Sequence, residues 1–240
     1  MTHVPLAPRA PLSVVTPTLN SASRLPACLG ALTPGAIEGL VKDVVVSDGG
    51  SDDETIRIAE SFGAQIIKGE PGRGGQLQGG ADAARGAWLL FLHSDTVLSG
   101  DWIDAARDLM SVGEEAVGVF QLRFDAPGVL PSAVAWGANV RTRLFSAPYG
   151  DQGLLISRAL YDEVGGYRAL PLFEDVDMID RIIAAKGRRA VRLLKADAIT
   201  SAERYTASGY APRIAKNMVC MALYRLGRPP SEILSYYNAS

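Results

Sequence analysis

Cysteine is scarce in this chain: Cys28 and Cys220 are the only two in 240 residues, and they stand far apart. They form no metal-ligand spacing, and so few thiols suit a reducing compartment. No run of eighteen apolar residues occurs, so no helical membrane span is expected. Met1 to Pro11 holds three prolines and no apolar segment, so neither a signal peptide nor a structured start is expected there. A net charge of −2 gives no general polyanion-binding surface, and nucleic acid is not an expected partner. Low-complexity tracts and internal repeats are absent, as is the phosphate-loop pattern G-x-x-x-x-G-K-[ST]. A cytoplasmic protein is expected. With 48% hydrophobic and 21% charged residues, the chain is one large domain, or one domain with an appendage, and has ample core.

What is present is an alternation of strand and helix. Leu12 to Thr16 reads as a strand stopped by Pro17, and Leu25 to Leu32 as a helix with several cap residues in Asn20-Ser21-Ala22-Ser23. Val41 to Ser47 is a second strand. Ser51 to Glu54 matches a capping box before a helix over Glu54 to Phe62. Ala64 to Lys68, a loop over Gly69 to Gly75, a helix over Gln76 to Arg85 and a strand over Ala87 to Leu92 complete the first hundred residues. Strict alternation of this kind predicts an α/β fold with a mostly parallel sheet and helices on its faces. The second half is less regular. Helices are expected at Asp101 to Met110, Pro131 to Phe145, Arg158 to Val164 and Asp175 to Lys186. Strands are expected at Val117 to Phe124, Gly153 to Ser157 and Ala190 to Leu194. Residues 1–11 read as a tail, 12–200 as the catalytic-sized domain with halves 12–100 and 101–200, and 201–240 as a helical appendage.

The apolar run Ala87 to Leu92 ends in His93-Ser94-Asp95, and in extended chain His93 and Asp95 point to one face. Open α/β sheets bind ligands at the carboxyl ends of such strands. Two further tips join it in a parallel sheet: Thr16-Pro17-Thr18-Leu19-Asn20 and Asp48-Gly49-Gly50-Ser51. A carboxylate beside a glycine turn can accept hydrogen bonds from a base or ribose. Another can hold a hard cation that neutralises a diphosphate. Pro71-Gly72-Arg73-Gly74-Gly75-Gln76 is not a dinucleotide fingerprint, since Leu77 stands where the third glycine belongs. It is a loop whose Arg73 can reach a base or phosphate. Glu174-Asp175 opens a helix. Acids there serve the helix dipole, and equally one can act as a general base on a hydroxyl.

In this order, the segments resemble glycosyltransferase family 2, with its GT-A fold, over roughly Leu12 to Leu194. The resemblance implies that Thr16, Pro17, Thr18, Asn20, Asp48 and Arg73 hold the nucleoside of a nucleotide-diphosphate sugar. It places His93-Ser94-Asp95 at the family's D-x-D position, with Asp95 binding Mg²⁺ or Mn²⁺ and the diphosphate. Gly165-Gly166-Tyr167 followed by Glu174-Asp175 resembles the acceptor segment, with Asp175 as catalytic base of an inverting transfer to a hydroxyl acceptor. A small bacterial subgroup shares the Pro-Gly-Arg-Gly loop, the His in D-x-D and a tail like Thr200-Ser201-Ala202. His93 replaces the first acid of D-x-D, and Leu19 and Ser21 stand where many members carry Tyr and Glu. The Q-x-x-R-W motif of processive synthases is absent, which implies transfer of a single sugar; Arg204 lies in about that region as a diphosphate contact. The alternative is a nucleotide-sugar binder without turnover. A pyrophosphorylase would want a basic, glycine-rich loop after the first strand, which Thr16 to Asn20 is not.

The C-terminal stretch Ala211 to Tyr237 sets Arg213, Lys216, Arg225 and Arg228 among apolar residues at helical spacing. That pattern fits packing on the domain, a homodimer contact, or a helix lying on the inner face of an anionic membrane, where acceptors in the family are often lipid-linked.

Overall fold

In the computed structural model, residues 10–238 are described, the side chains of 204, 207, 208 and 238 excepted. The chain runs through β1 (Leu12–Thr18), α1 (Leu25–Ile37), β2 (Val41–Asp48), α2 (Thr55–Ser61), β3 (Gln65–Lys68), α3 (Arg73–Ala83) and β4 (Trp88–Phe91). It continues with β5 (Thr96–Leu98), α4 (Trp102–Val112), β6 (Val117–Phe124), α5 (Val129–Phe145), β7 (Leu154–Ser157), α6 (Arg158–Glu163) and α7 (Glu174–Lys186). It closes with β8 (Val191–Thr200), α8 (Glu203–Ser208), α9 (Tyr210–Arg225) and α10 (Pro230–Asn238).

One eight-stranded sheet has the order β3-β2-β1-β4-β7-β6-β8-β5. Strands β3, β2, β1 and β4 are parallel, as are β6 and β8, while β7 and β5 run antiparallel to their neighbours. Alternate side chains of β1 serve two cores: Leu12 and Val14 pack with α1 and α4, Val15 with α3, α6 and α7. The sheet is therefore covered on both faces, and its polar business is confined to the strand ends.

Several local expectations are corrected. Pro17 does not stop β1, which continues to Thr18. Val15 O accepts the last bond from the β4 side, from Leu92 N, and β4 then turns away, so the missing N–H of Pro17 leaves no gap in a ladder. Helix α3 begins at Arg73, so the expected loop ends at Gly72 and Arg73 belongs to a helix. Ser51 forms no capping box: its hydroxyl bonds Asp48, and the start of α2 has no side-chain cap. The cap expected for α1 is likewise absent, since Asn20 Oδ1 accepts from Asp52 N at 3.0 Å instead. His93-Ser94-Asp95 is a turn closed by Thr96 N to His93 O at 3.1 Å, not extended chain. β8 runs on to Thr200 because β5, which the sequence did not disclose, pairs with its far end. The tail expected over 1–11 lies, up to residue 9, outside the described residues.

Candidate active site

The parallel half of the sheet brings three strand tips together. Thr18 at the end of β1 is in register with Asp48 at the end of β2. The Asp48 carboxylate is fully buried. Its Oδ1 accepts from Thr18 Oγ1 at 2.9 Å and from Ser51 Oγ; its Oδ2 accepts from Gly50 N at 2.9 Å and Ser51 N at 2.8 Å. Burial pushes this carboxyl up, but the bonds from Ser51, Thr18 and Gly50 outweigh it and hold it below the usual carboxylate range. Gln76 ties the same tips, its Nε2 donating to Thr18 O at 2.7 Å and Ser47 O at 2.8 Å. Asn20, at φ 49°, joins the loop through its own N–H to Ser51 Oγ at 2.8 Å. Thr16, Pro17 and Thr18 are buried in β1, and Thr16 Oγ1 has no hydrogen-bond partner. None of Thr16, Pro17, Thr18, Asn20 or Asp48 lines the cleft next door; they form its rigid shoulder.

That cleft has a volume of about 150 Å³. Arg73, His93, Asp95 and Asp175, all expected from the sequence, line it together. The Arg204 side chain lies outside the described residues. Helix α7 supplies the acidic wall. Its first residue follows Phe173, held at φ 65° in the left-handed region, an unusual state for a bulky residue that persists only where the surroundings enforce it. Phe173 is stacked on Tyr224 of α9, with ring centroids 4.6 Å apart. This bend aims each acid of the first turn at a different partner. Glu174, 2% exposed, accepts from Arg73 Nη1 at 3.3 Å. Asp175 Oδ2 accepts from Gly150 N and its Oδ1 from Val176 N at 2.8 Å. Asp177 is clamped by Arg168 at 3.0 Å and Arg181 at 2.8 Å. None of the three caps the helix by its side chain.

Gly150 is the meeting point. A Cβ on it would stand 3.0 Å from His93 Nε2 and 3.3 Å from Asp175 Oδ2, so the tip of β4 and the α7 acid bracket this one residue closely. Burial, together with the Asp175 charge, pushes the Glu174 carboxyl up against the opposing pull of Arg73. Behind the site, burial seals Cys28 and pushes its thiol up to about 12, so it serves as a core side chain whose Sγ meets His93 O at 3.5 Å.

Two features of the cleft were not anticipated. Asp151 lines it with Oδ1 buried and unpartnered. Burial pushes its carboxyl up to about 6; Arg141 opposes this, while Asp175 and Asp95 add to it. The only signal in the sequence was an acid in a glycine loop between a helix and an apolar strand, too common to single out. The second feature is the C-terminal stretch. Instead of hanging off the domain, α9 and α10 form a wall of the cleft through Arg213, Asn217, Cys220, Met221 and Tyr237. Arg225 is held by Asp180 at 2.6 Å and Arg228 faces Glu232 at 3.5 Å. Cys220 and Ile233 join Phe173 and Val176 in a small core, so the stretch packs on its own domain.

The donor set suits a hard divalent cation. Asp95 offers a carboxylate at the strand tip, and Asp151 brings a buried oxygen without a partner beside other acids. Among the described residues no group of three or more His, Cys, Asp or Glu side chains could hold a metal ion.

A helix-covered mixed sheet with its cleft at the carboxyl ends of the parallel strands is the architecture of the GT-A glycosyltransferases. Glucosyl-3-phosphoglycerate synthase from Mycobacterium tuberculosis, solved with Mn²⁺ and UDP-glucose, superposes with a TM-score of 0.66 at 21% identity, over 92% of this chain and 80% of that one. The same enzyme with phosphoglyceric acid gives 0.67 at 20% identity, over 92% and 81%. Residues 13–164 match the family described as Glycosyl transferase family 2, and the chain belongs to that family. A PGL/p-HBAD biosynthesis glycosyltransferase of Mycobacterium bovis (strain BCG / Pasteur 1173P2) is 33% identical over 168 residues, 65% of this chain. That match spans 62% of the relative's own length. No described helix is long and apolar enough to cross a membrane.

Proposed function

We propose that this protein transfers a single sugar from a nucleotide-diphosphate sugar to a hydroxyl acceptor with inversion, Asp175 acting as general base. The observation that supports it best is the convergence on Gly150 of His93, from the tip of β4, and Asp175, from the start of α7. A donor lying along the strand tips and an acceptor entering from the α9 side would meet there. Asp175 takes the acceptor proton as the hydroxyl oxygen attacks the anomeric carbon and the bond to the diphosphate breaks from the opposite face. Arg73, carried on α3 beside Glu174, and Arg213, whose guanidinium stacks over Tyr237 at 4.5 Å, lie where negative charge grows on the leaving diphosphate. Asp95, backed by Asp151, would hold a divalent cation, which when bound supplies further neutralisation of that charge. Asp48 has its acceptor sites filled by its own loop, so its part is to shape the shoulder on which a nucleoside rests. A base could reach it only by replacing the Thr18 or Ser51 hydroxyl.

UDP-glucose, bound by the structural neighbours, is the first donor to test. Unfolding midpoints should rise with a nucleotide sugar, and rise further when Mn²⁺ or Mg²⁺ is present, because a ligand of the folded state stabilises it. Release of nucleoside diphosphate should follow on adding an acceptor. His93 in place of an acid favours a second reading, a binder without turnover; stabilisation by donors with no hydrolysis or transfer would select it.

A further inference from the structure

Helix α5 carries an apolar stripe that is exposed except at the half-buried Val140. Its inner face is accounted for: Ala135 and Ala138 pack on Leu122 and Phe124, and Asn139 bonds the Leu122 backbone. On the opposite side Val129, Ala133, Trp136, Val140 and Leu144 fall within about 80° at ~100° per residue. Val129 is 84% exposed, Trp136 69% and Leu144 65%. Eight of the thirteen large apolar side chains exposed among the described residues lie on α5 or on α9 and α10. Exposed apolar area gathered on one helix marks a contact surface.

Charge says what it contacts. Val129–Phe145 contains no acidic residue. At its C-terminal end Ser146 Oγ donates to Arg188 O at 3.0 Å, which holds the backbone of Arg188 against the residue that follows Phe145. Ten described arginines lie within 4.0 Å of a carboxylate, but Arg143, Arg188 and Arg189, all exposed, do not. The helix dipole explains one basic residue in a last turn. It does not explain Arg188 and Arg189, exposed just after α7 on the segment that Ser146 holds. A two-fold contact through this face would set the acid-free, basic helix of one copy against the same face of the other, with no carboxylate on α5 to meet these arginines.

We propose that α5 lies on the surface of an anionic bilayer, Trp136 and Leu144 entering the headgroup boundary and Arg143, Arg188 and Arg189 facing anionic headgroups. A basic amphipathic helix with Trp and Leu on its apolar face binds such interfaces in the plane of the membrane. The docking is independent of the transferase reading. Where that reading holds, docking brings the cleft, whose wall residues Phe124 and Tyr205 lie under α5, close to hydroxyl acceptors carried on lipids.

The protein contains its own probe. Trp88 and Trp102 are buried, so Trp136 is the exposed tryptophan of the three. Full-length protein mixed with phosphatidylcholine vesicles containing about one third phosphatidylglycerol should co-sediment, with a blue shift of Trp136 emission, and each Arg→Glu change at 143, 188 or 189 should weaken binding at least about 5-fold. Leu144→Asp should abolish the shift, with an unchanged unfolding midpoint showing that the fold is intact. High salt should release the protein. Three results would overturn the proposal: no co-sedimentation at low salt, equal binding to pure phosphatidylcholine, or a lipid-free dimer that itself shifts Trp136 emission and disperses in Leu144→Asp.

Discussion

Replacing Asp175 by Asn separates the basicity of the carboxylate from its structural bonds. In the wild type the two oxygens accept from two backbone amides, Gly150 N and Val176 N. An amide side chain has one carbonyl oxygen, so one of those N–H groups loses its partner. The net loss for one such bond is about 1 kcal/mol. In a chain of this size that lowers the unfolding midpoint by about 2–4 °C. Loss of a general base lowers turnover by about 10²–10⁴-fold, equivalent to about 3–5 kcal/mol of barrier. The kinetic effect therefore exceeds the structural one by about 2 kcal/mol or more, and misfolding cannot be mistaken for it. The assay is nucleoside diphosphate release with acceptor present, beside donor affinity by calorimetry, which should hold within about threefold since Asn keeps the shape of Asp. Glu174→Gln is the control on the neighbouring acid. Glu174 is buried against Arg73, and its loss should change turnover by less than about tenfold while altering how Arg73 is held. Near-wild-type turnover in Asp175→Asn, or the larger loss falling on Glu174→Gln, would refute the assignment.

Asp151→Asn should stabilise the metal-free protein, with a definite pH signature. The wild-type carboxyl is raised from 3.8 to about 6, so the folded state binds the proton more tightly and loses stability as pH climbs between those values. The mutant's advantage should be absent near pH 3.8, grow to about pH 6 and stay level above it, which unfolding midpoints taken with a chelator present will read. Asp95→Ala should remove most of the metal-dependent part of donor affinity, about tenfold or more, and leave the metal-free part alone; equal metal-dependent affinity in calorimetry would return Asp95 to a turn residue. Gly74→Ala should destabilise the fold by about 1–3 kcal/mol, because a Cβ there would sit 2.3 Å from Arg168 O and 2.7 Å from Leu170 N. Chemical denaturation will show it, and donor affinity should fall with it as Arg73 is displaced.

The first hundred residues were readable because their structure is local. Apolar runs such as Val44 to Val46 and Ala87 to Leu92 end in polar tips, and alternation with helices leaves a parallel sheet as the economical arrangement. Where the reading slipped, a long-range partner had overridden a local rule. Ser51 has the sequence of a cap, but Asp48 and Asn20 compete for its hydroxyl and win. Pro17 looks like a stop, but the neighbour it would have bonded has already turned away.

Sequence alone therefore determined the fold class, the family, and which acids stand at the strand tips and the start of α7, because residue type and spacing carry that information directly. Tertiary structure decided which of them share a cleft. It folded Asp48 inward onto four hydrogen bonds and swung the C-terminal helices back so that Arg213 and Tyr237 close the wall. It also set Asp151, from a loop with no distinguishing pattern, among the charges of Asp95 and Asp175. Burial and through-space charge depend on chain segments far apart in sequence, and no local pattern encodes them.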